Sequence, residues 1–266
     1  MERKFFVEPG SIVREIWGRA DIVLFIFAGA AAEFAVNKAV DWLYFTGKLP
    51  ADPIGRMFST MNYAKQIVFA PLDKANHTID AIRKIHLAVE QARGSSIPEE
   101  AYRDVLFMLI RYSISAFEVL ERKLSNREKA EVYQVFLELG NRMGLKKNPS
   151  TYMEWQYINE TYLVAGTGRS PFSADLYRQY RKHLGPLGFF FLVEVQRLIT
   201  PKHVKTLLGI NKTSLLALVL PVYRVGRRLH LDKVWMRLLL PCRYSQQVKG
   251  LEKCPFSKAV LKLRIE

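Results

Sequence analysis

A histidine in the stretch AIRKIHLAVEQARG, residues 81–94, is the first candidate for chemistry in this chain of 266 residues. On a helix, residues three and four apart share a face. The residues on the face of His86 are Ile79, Ile82 and Val89. A neutral imidazole buried there without a partner costs about 1–3 kcal/mol. We therefore expect a backbone carbonyl, a carboxylate, a water molecule or a metal beside His86, and the spacing does not choose among them.

A second polar group lies in DPIGRMFSTMNYAKQIVFA, residues 52–70. Helical spacing puts its polar members on one face that ends in an apolar residue: Arg56, Thr60, Tyr63 and Ile67. An arginine in this position is either solvated or paired with an anion. The other four histidines stand in polar or basic settings that are typical of a surface: His77, His183, His203 and His230.

The charge of the chain is concentrated toward its C-terminal end. The formal net charge is +15, and residues 201–266 hold 14 Lys and Arg against 3 acidic residues. A basic surface serves nucleic acid, anionic lipid or an acidic cofactor. No nucleic acid partner is expected, because no recognition motif accompanies the charge. In LDKVWMRLLLP, residues 231–241, an apolar stripe among cations predicts contact with a membrane surface, or else an ordinary core-facing helix with a solvated basic side.

Cysteines and the longest apolar run limit the class of protein. Cys242 and Cys254 have no histidine at metal-ligand spacing, so neither a disulfide framework nor a zinc site is indicated. The N-terminus does not resemble a signal peptide, and we expect a cytoplasmic protein. The apolar run 21–36 contains Glu33 and is shorter than the roughly 20 residues that span a bilayer, so it is interpreted as a core helix.

Helical periodicity recurs along the chain and no window alternates with period two, so we predict an all-α protein with a single domain over residues 1–266. Capping residues and prolines place the helix ends. The first predicted helices are 20–45, 53–69 and the His86 helix, which ends at RGSS. A fourth opens at Pro98, and a fifth runs from Ser125 to near Gly144. An aromatic-rich helix with Tyr152, Trp155 and Tyr157 follows, and then ADLYRQYRKHLG, which Ser173 is expected to cap. Shorter helices are expected beyond, broken by Pro186, Pro201, Pro221 and Pro241.

The order of these segments resembles the family of rubber oxygenase and of the endoplasmic-reticulum oxygenase of mycophenolic acid biosynthesis, over about residues 10–240. The resemblance is carried by GSIVREIWGRADIVLFIFAGAAAEFAV, then DPIGR at 52–56, RKIH at 83–86, IPEEAY, and SAFEVLERKLSNREKAEVY. It implies a globin-like helical core around a b-type haem. His86 would be the axial ligand of the iron, and Arg56 and Thr60 would lie on the opposite face of the haem.

A haem site also needs an apolar slot and cations at its rim for the propionates. Ile82 and Val89, with Ile79, would line the slot, and Arg83 would be the rim cation. Tyr63 shares the face of Arg56 and Thr60. The second ring nitrogen of His86 is expected to donate to the carbonyl near Ile82.

The chain departs from the family pattern at three places. Ser59 stands where rubber-degrading members carry a lysine, and Val36 and Asn37 stand where many relatives carry His-Pro. Many relatives also carry Trp-x-His in the fourth helix, and here no histidine lies between Ala101 and Glu121. The resemblance implies a haem-b-dependent oxygenase or oxidase that uses molecular oxygen on an apolar small molecule, isoprenoid or lipid-like and unsaturated. The departures leave open a non-catalytic, membrane-peripheral haem- or lipid-binding protein of the same fold.

Overall fold

The computed structural model describes residues 4–46 and 51–228, and within these ranges the chain is helical, with no named strand. Two isolated backbone bridges, Phe5 with Pro71 and Asn37 with Thr167, tie loops together. The described α-helices are α1 Ile12–Trp17, α2 Ala20–Phe34, α3 Pro53–Phe69, α4 Leu72–Arg93, α5 Glu99–Leu120, α6 Asn126–Met143, α7 Tyr152–Gly166, α8 Pro171–Ile199, α9 Lys202–Leu208 and α10 Leu216–Arg228; a 3₁₀ helix covers Lys38–Thr46. The prediction of an all-α fold is confirmed.

The centre of the bundle is the pair α2 and α5. Helix α2 is apolar around most of its circumference, because α5 and α8 both pack on it. At Gly29 the ring of Tyr112 is so close that an added Cβ would overlap a ring carbon. The run 21–36 is therefore a core helix, as predicted. Among the described residues no helix combines the length and apolar character that a bilayer crossing needs.

Local signals place several helix ends where the sequence predicts them. Asp52 caps α3 by accepting a hydrogen bond from the Gly55 backbone N–H, and Pro53 occupies the first turn. Ser125 and Glu128 form a reciprocal capping box at the start of α6. Gly144 ends that helix in the left-handed conformation that glycine favours.

The helix predicted over 20–45 is wrong in its second half. Helix α2 ends at Phe34, and residues 38–46 form the 3₁₀ helix. After Phe34 the backbone forms hydrogen bonds with the segment that follows α7 instead of continuing the α-helix. The carbonyl of Val36 accepts a hydrogen bond from the Gly168 N–H at 2.7 Å, and Asn37 bridges to Thr167.

Helix α8 corrects a predicted cap and confirms a predicted break. Ser170, not Ser173, caps the helix, and the Ser173 hydroxyl accepts the Ser170 backbone N–H in return. Gly185 has φ 72° and ψ 175°, which interrupts the helix immediately before Pro186. The Tyr177 hydroxyl nevertheless donates to the Gln196 side chain at 2.7 Å, although 19 residues of straight helix would separate them by about 28 Å. Helix α8 is therefore folded back at Gly185 into two arms, 171–184 and 186–199.

The remaining prolines differ in their effect. Pro201 precedes the first turn of α9, as its predicted role as a breaker requires. Pro221 lies inside α10 and does not end it, so that predicted break is wrong. Pro221 is exposed, and it removes one backbone hydrogen-bond donor from the helix without ending it. Pro241 and the stripe in residues 231–241 lie outside the described residues, and the single-domain prediction for 1–266 stays a prediction.

Candidate functional site

His86 lies in the second half of α4, on the face that turns toward the bundle. Ile79, two turns earlier, is fully buried, and Ile82 and Val89 are partly buried like His86 itself. Arg83 is exposed on the neighbouring face. The predicted apolar face is therefore present, but it becomes more open along the helix, so that His86 lies at its edge.

One ring nitrogen of His86 has no hydrogen-bond partner. The Nδ1 atom is buried, and among the described residues no donor or acceptor meets it. The expected hydrogen bond to the carbonyl near Ile82 is thus absent. The nearest described ring is that of Tyr102 on α5, whose centroid lies 5.2 Å away in an edge-on arrangement. A buried, unpaired nitrogen costs about 1–3 kcal/mol, which a bound partner would recover.

The surroundings of His86 favour its neutral form. Burial lowers the pKa of His86; the carboxylate of Glu90 opposes this shift, and the guanidinium of Arg56 adds to it. Burial likewise raises the pKa of Tyr102 to about 12, with a further rise from Glu90 and a decrease from Arg83. The imidazole is therefore uncharged near neutral pH, which is the form that binds a metal.

The three polar residues of α3 lie at the surface beside this face. Arg56 and Thr60 are exposed and Tyr63 is partly buried. The Thr60 hydroxyl donates to the Arg56 carbonyl at 3.1 Å, so its hydrogen bond is made within α3. The structure brings Arg56 within electrostatic range of His86. No interaction between Tyr63 and His86 is found among the described side chains.

Two residues near His86 are missed by the sequence reasoning. Glu90 lies one turn after His86 on the same face, and its Oε1 accepts the Ile97 backbone N–H at 2.7 Å. The spacing of four is a signal that could have identified it. Tyr102 comes from the next helix, and only the tertiary packing of α5 on α4 brings it to His86.

A second polar cluster, at the interface of α2 and α5, is also missed. Arg111 donates to both carboxylate oxygens of Glu33 and to Asn159, and the Tyr112 hydroxyl donates to Glu33 at 2.9 Å. The Asn37 amide donates to Asp104 at 2.8 Å. A cavity of about 10 Å³, room for one water molecule, is lined in part by the charged groups Glu33, Asp104 and Arg111 and by Asn37. We call these six residues the Glu33–Arg111 cluster.

Comparison with known proteins identifies the family. The family model described as "ER-bound oxygenase mpaB/B'/Rubber oxygenase, catalytic domain" matches residues 14–230. The chain belongs to this family. Neither the curated proteins nor the solved structures contain a significant match to it. The family match confirms the resemblance found in the sequence and supports an oxygenase role, which in general requires oxygen and an organic substrate.

The residues of this mpaB and rubber oxygenase family member fit a haem on one structural criterion. Among the described residues, His86 belongs to no group of three or more His, Cys, Asp or Glu side chains that could hold a bare metal ion. A lone imidazole with an unpaired buried nitrogen suits an iron whose other donors come from a porphyrin. Two exposed arginines nearby, Arg56 and Arg83, are of the right charge for haem carboxylates.

The departures from the family pattern are also visible in the oxygenase fold. Asn37, at the place of the expected His-Pro pair, is 2 % exposed and is held by Asp104. Ser59, at the place of the expected lysine, is exposed beside Thr60. The first departure is thus part of a packed core contact, whereas the second leaves open space on the face of α3.

Proposed function

We propose that the protein is a haem-b-dependent oxygenase, or a related oxidase, in which His86 binds the iron. The observation that carries the proposal is the partly buried, neutral imidazole of His86, whose Nδ1 has no partner, in a chain of an oxygenase family. The family match supports the oxygenase class, and the haem is part of the proposal.

In this proposal the haem, when bound, supplies the activation of molecular oxygen. His86 holds the iron through a neutral ring, and the burial that keeps it unprotonated keeps it available as a ligand. Arg56 would donate hydrogen bonds from its guanidinium to oxygen or to a polar group of the substrate on the haem face opposite His86. Thr60 and Tyr63 extend that polar face. Arg83 would pair with a haem propionate at the rim of the haem slot.

The proposed substrate is an apolar small molecule, isoprenoid or lipid-like and unsaturated. Helix α4 presents apolar side chains around the histidine: Ile82 and Val89 are partly buried, and Ile85 and Leu87 are 49 % and 45 % exposed. Apolar surface of this kind favours an apolar ligand. A cytoplasmic protein in peripheral contact with a membrane would reach such a substrate directly, and this location belongs to the same proposal.

An absorption spectrum of the purified protein, before and after dithionite, tests the cofactor. We expect a Soret band that shifts on reduction. His86→Ala should abolish stoichiometric haem binding while the far-ultraviolet circular dichroism stays helical. His77→Ala is the matched control, since it removes an exposed histidine from the same helix. Full haem occupancy with an unchanged spectrum in His86→Ala would exclude His86 as the ligand.

The second candidate is a non-catalytic, membrane-peripheral haem- or lipid-binding protein of the same fold. It is favoured by Asn37, which occupies the expected His-Pro position and is engaged in the core with Asp104. Product formation under oxygen from an unsaturated isoprenoid or fatty acid separates the two. Haem binding without any turnover, over a panel of such substrates, would favour the binding protein.

A further inference from the structure

Helix α10 carries an apolar stripe that no described part of the chain covers. Leu215, just before the helix, is 58 % exposed, Leu218 is 79 %, Val222 is 64 % and Val225 is 59 %. Their spacings of three, four and three put these residues on one helical face. Val219 borders the same stripe and is also exposed. We call these residues the α10 stripe.

The opposite face of α10 is already used by the protein core. Leu216, Leu220 and Tyr223 pack inward, and the Tyr223 hydroxyl donates to Asp21 at 2.7 Å. Arg224 donates to the Val119 carbonyl through two of its nitrogens, which fixes the helix to the end of α5. Helix α10 is thus apolar on both faces while only one is buried, and a surface helix of this kind needs a second partner.

The charge of the segment that contains the stripe indicates the chemistry of that partner. Residues 201–228 contain six cations and no Asp or Glu: Lys202, Lys205, Lys212, Arg224, Arg227 and Arg228. An exposed apolar stripe on a purely cationic segment matches a surface that is apolar inside and anionic outside. The interface of a bilayer that contains anionic lipids has both properties.

We propose that the α10 stripe docks the protein onto an anionic membrane surface. Leu218, Val222 and Val225 insert between headgroups. The cations of residues 201–228, apart from Arg224, which holds α10 to Val119, attract the headgroup charges. The proposal deepens the peripheral location named in the proposed function, and it assigns that location to described residues. It does not depend on haem, so vesicle binding and cofactor binding can fail independently.

Vesicle sedimentation with the full-length protein tests the proposal. We expect binding to phosphatidylcholine vesicles that contain phosphatidylserine, little binding to phosphatidylcholine alone, and weaker binding at high salt because salt screens the cations. Leu218→Asp with Val222→Asp should weaken binding about ten-fold or more, since it places two anions in the stripe. Equal binding of this variant and the wild type would overturn the proposal.

A matched control uses another exposed apolar pair with the same spacing. Met153 and Tyr157 on α7 are 68 % and 88 % exposed, and Met153→Asp with Tyr157→Asp should bind vesicles like the wild type. Circular dichroism checks that both double variants are folded. If the aspartate pair unfolds the protein, Leu218→Ser with Val222→Thr, which adds no charge, must show the loss of binding instead.

Two other occupants of the stripe give distinct results. In a Cys242→Ser, Cys254→Ser background, Leu218→Cys should react rapidly with a water-soluble thiol reagent and become protected when vesicles are added. Protection without vesicles in a monomer would mean that the protein's own chain covers the stripe, and would overturn the proposal. A dimer that the aspartate pair dissociates would overturn it in favour of a second copy.

Discussion

Two polar regions of this molecule differ in how completely their groups are paired. In the Glu33–Arg111 cluster, the carboxylate of Glu33 receives donors from Arg111 and Tyr112, and all three side chains are buried. At the His86 face, the buried Nδ1 of His86 has no partner and the nearby Arg56 is exposed. In the first region the charged groups are paired, and the buried atom left without a partner among the described residues is the neutral Asn37 Oδ1 beside the small cavity. The second region is open, and its central ring is the one that lacks a partner.

This difference separates stability from binding. A charge in the interior is tolerated only with its partners, so the Glu33–Arg111 cluster must stay intact for the fold to stay stable. An unpaired nitrogen at the edge of the core is a cost that a ligand can remove. We therefore expect substitutions in the cluster to reduce the free energy of unfolding, and substitutions at the His86 face to change binding at nearly constant stability.

The largest effect is expected for Arg111→Leu. It leaves Glu33 buried without its cation and should lower the free energy of unfolding by about 3–5 kcal/mol. Urea denaturation measures the change. Arg142→Leu, which breaks the exposed ion pair with Asp80, should cost about 1 kcal/mol or less. An equal loss of free energy of unfolding in the two variants would show that the buried ion pair matters no more for stability than the exposed one.

A smaller loss is expected for Asn37→Ala. The variant removes the amide that donates to Asp104, whose pKa burial already raises, and should cost about 1–2 kcal/mol. Asn62→Ala, at an exposed position of α3, serves as the control and should stay within about 0.5 kcal/mol of the wild type. If Asn37→Ala leaves the free energy of unfolding unchanged, a water molecule in the adjoining cavity replaces the amide.

A pH effect distinguishes the open face from the closed cluster. Burial lowers the pKa of His86 below its ordinary 6.5, so below about pH 6.5 the unfolded chain binds more protons than the folded one. The free energy of unfolding should fall as the pH drops through this window, down to the folded pKa. His86→Gln should flatten the slope in the haem-free protein. His77→Gln should retain it, because His86 is still present; a slope that survives in His86→Gln assigns it to another group.

The smallest change in stability is expected for Arg56→Ala. Arg56 is exposed, so the free energy of unfolding should stay within about 0.5 kcal/mol of the wild type. If the haem proposal is correct, the variant keeps its haem but changes its autoxidation rate, because the guanidinium no longer orients polar groups there. Lys74→Ala on α4 is a control for the loss of one exposed cation. Autoxidation and turnover equal to those of the wild type would remove the role of Arg56.

Features that depend on neighbours in sequence could be predicted. The cap at Asp52 and Pro53, the capping box at Ser125 and the apolar face of His86 all follow from residues within one or two turns. The family could be recognised because the order of such local segments is itself informative, and the match over residues 14–230 confirms it.

Features that depend on distant partners could not be predicted. Helix α2 ends early where the Gly168 N–H donates to the Val36 carbonyl. No residue near Val36 in the sequence indicates that hydrogen bond. Tyr102 reaches His86 only because α5 packs on α4. The pairing of Glu33 with Arg111 is likewise invisible, since a glutamate in an apolar run gives no indication of which cation meets it.

The turn at Gly185 restricts how this chain can change in length. A single residue connects the two arms of α8, whereas helix–helix connections commonly use about 2–8. A residue inserted into the first turn of the second arm would turn every later residue of that arm by about 100° around the helix axis. Gln196, whose amide donates to the Ala28 carbonyl and whose oxygen accepts the Tyr177 hydroxyl, would then turn away from both. Natural variants of this fold should therefore vary in loop length elsewhere and keep this connection at a constant size.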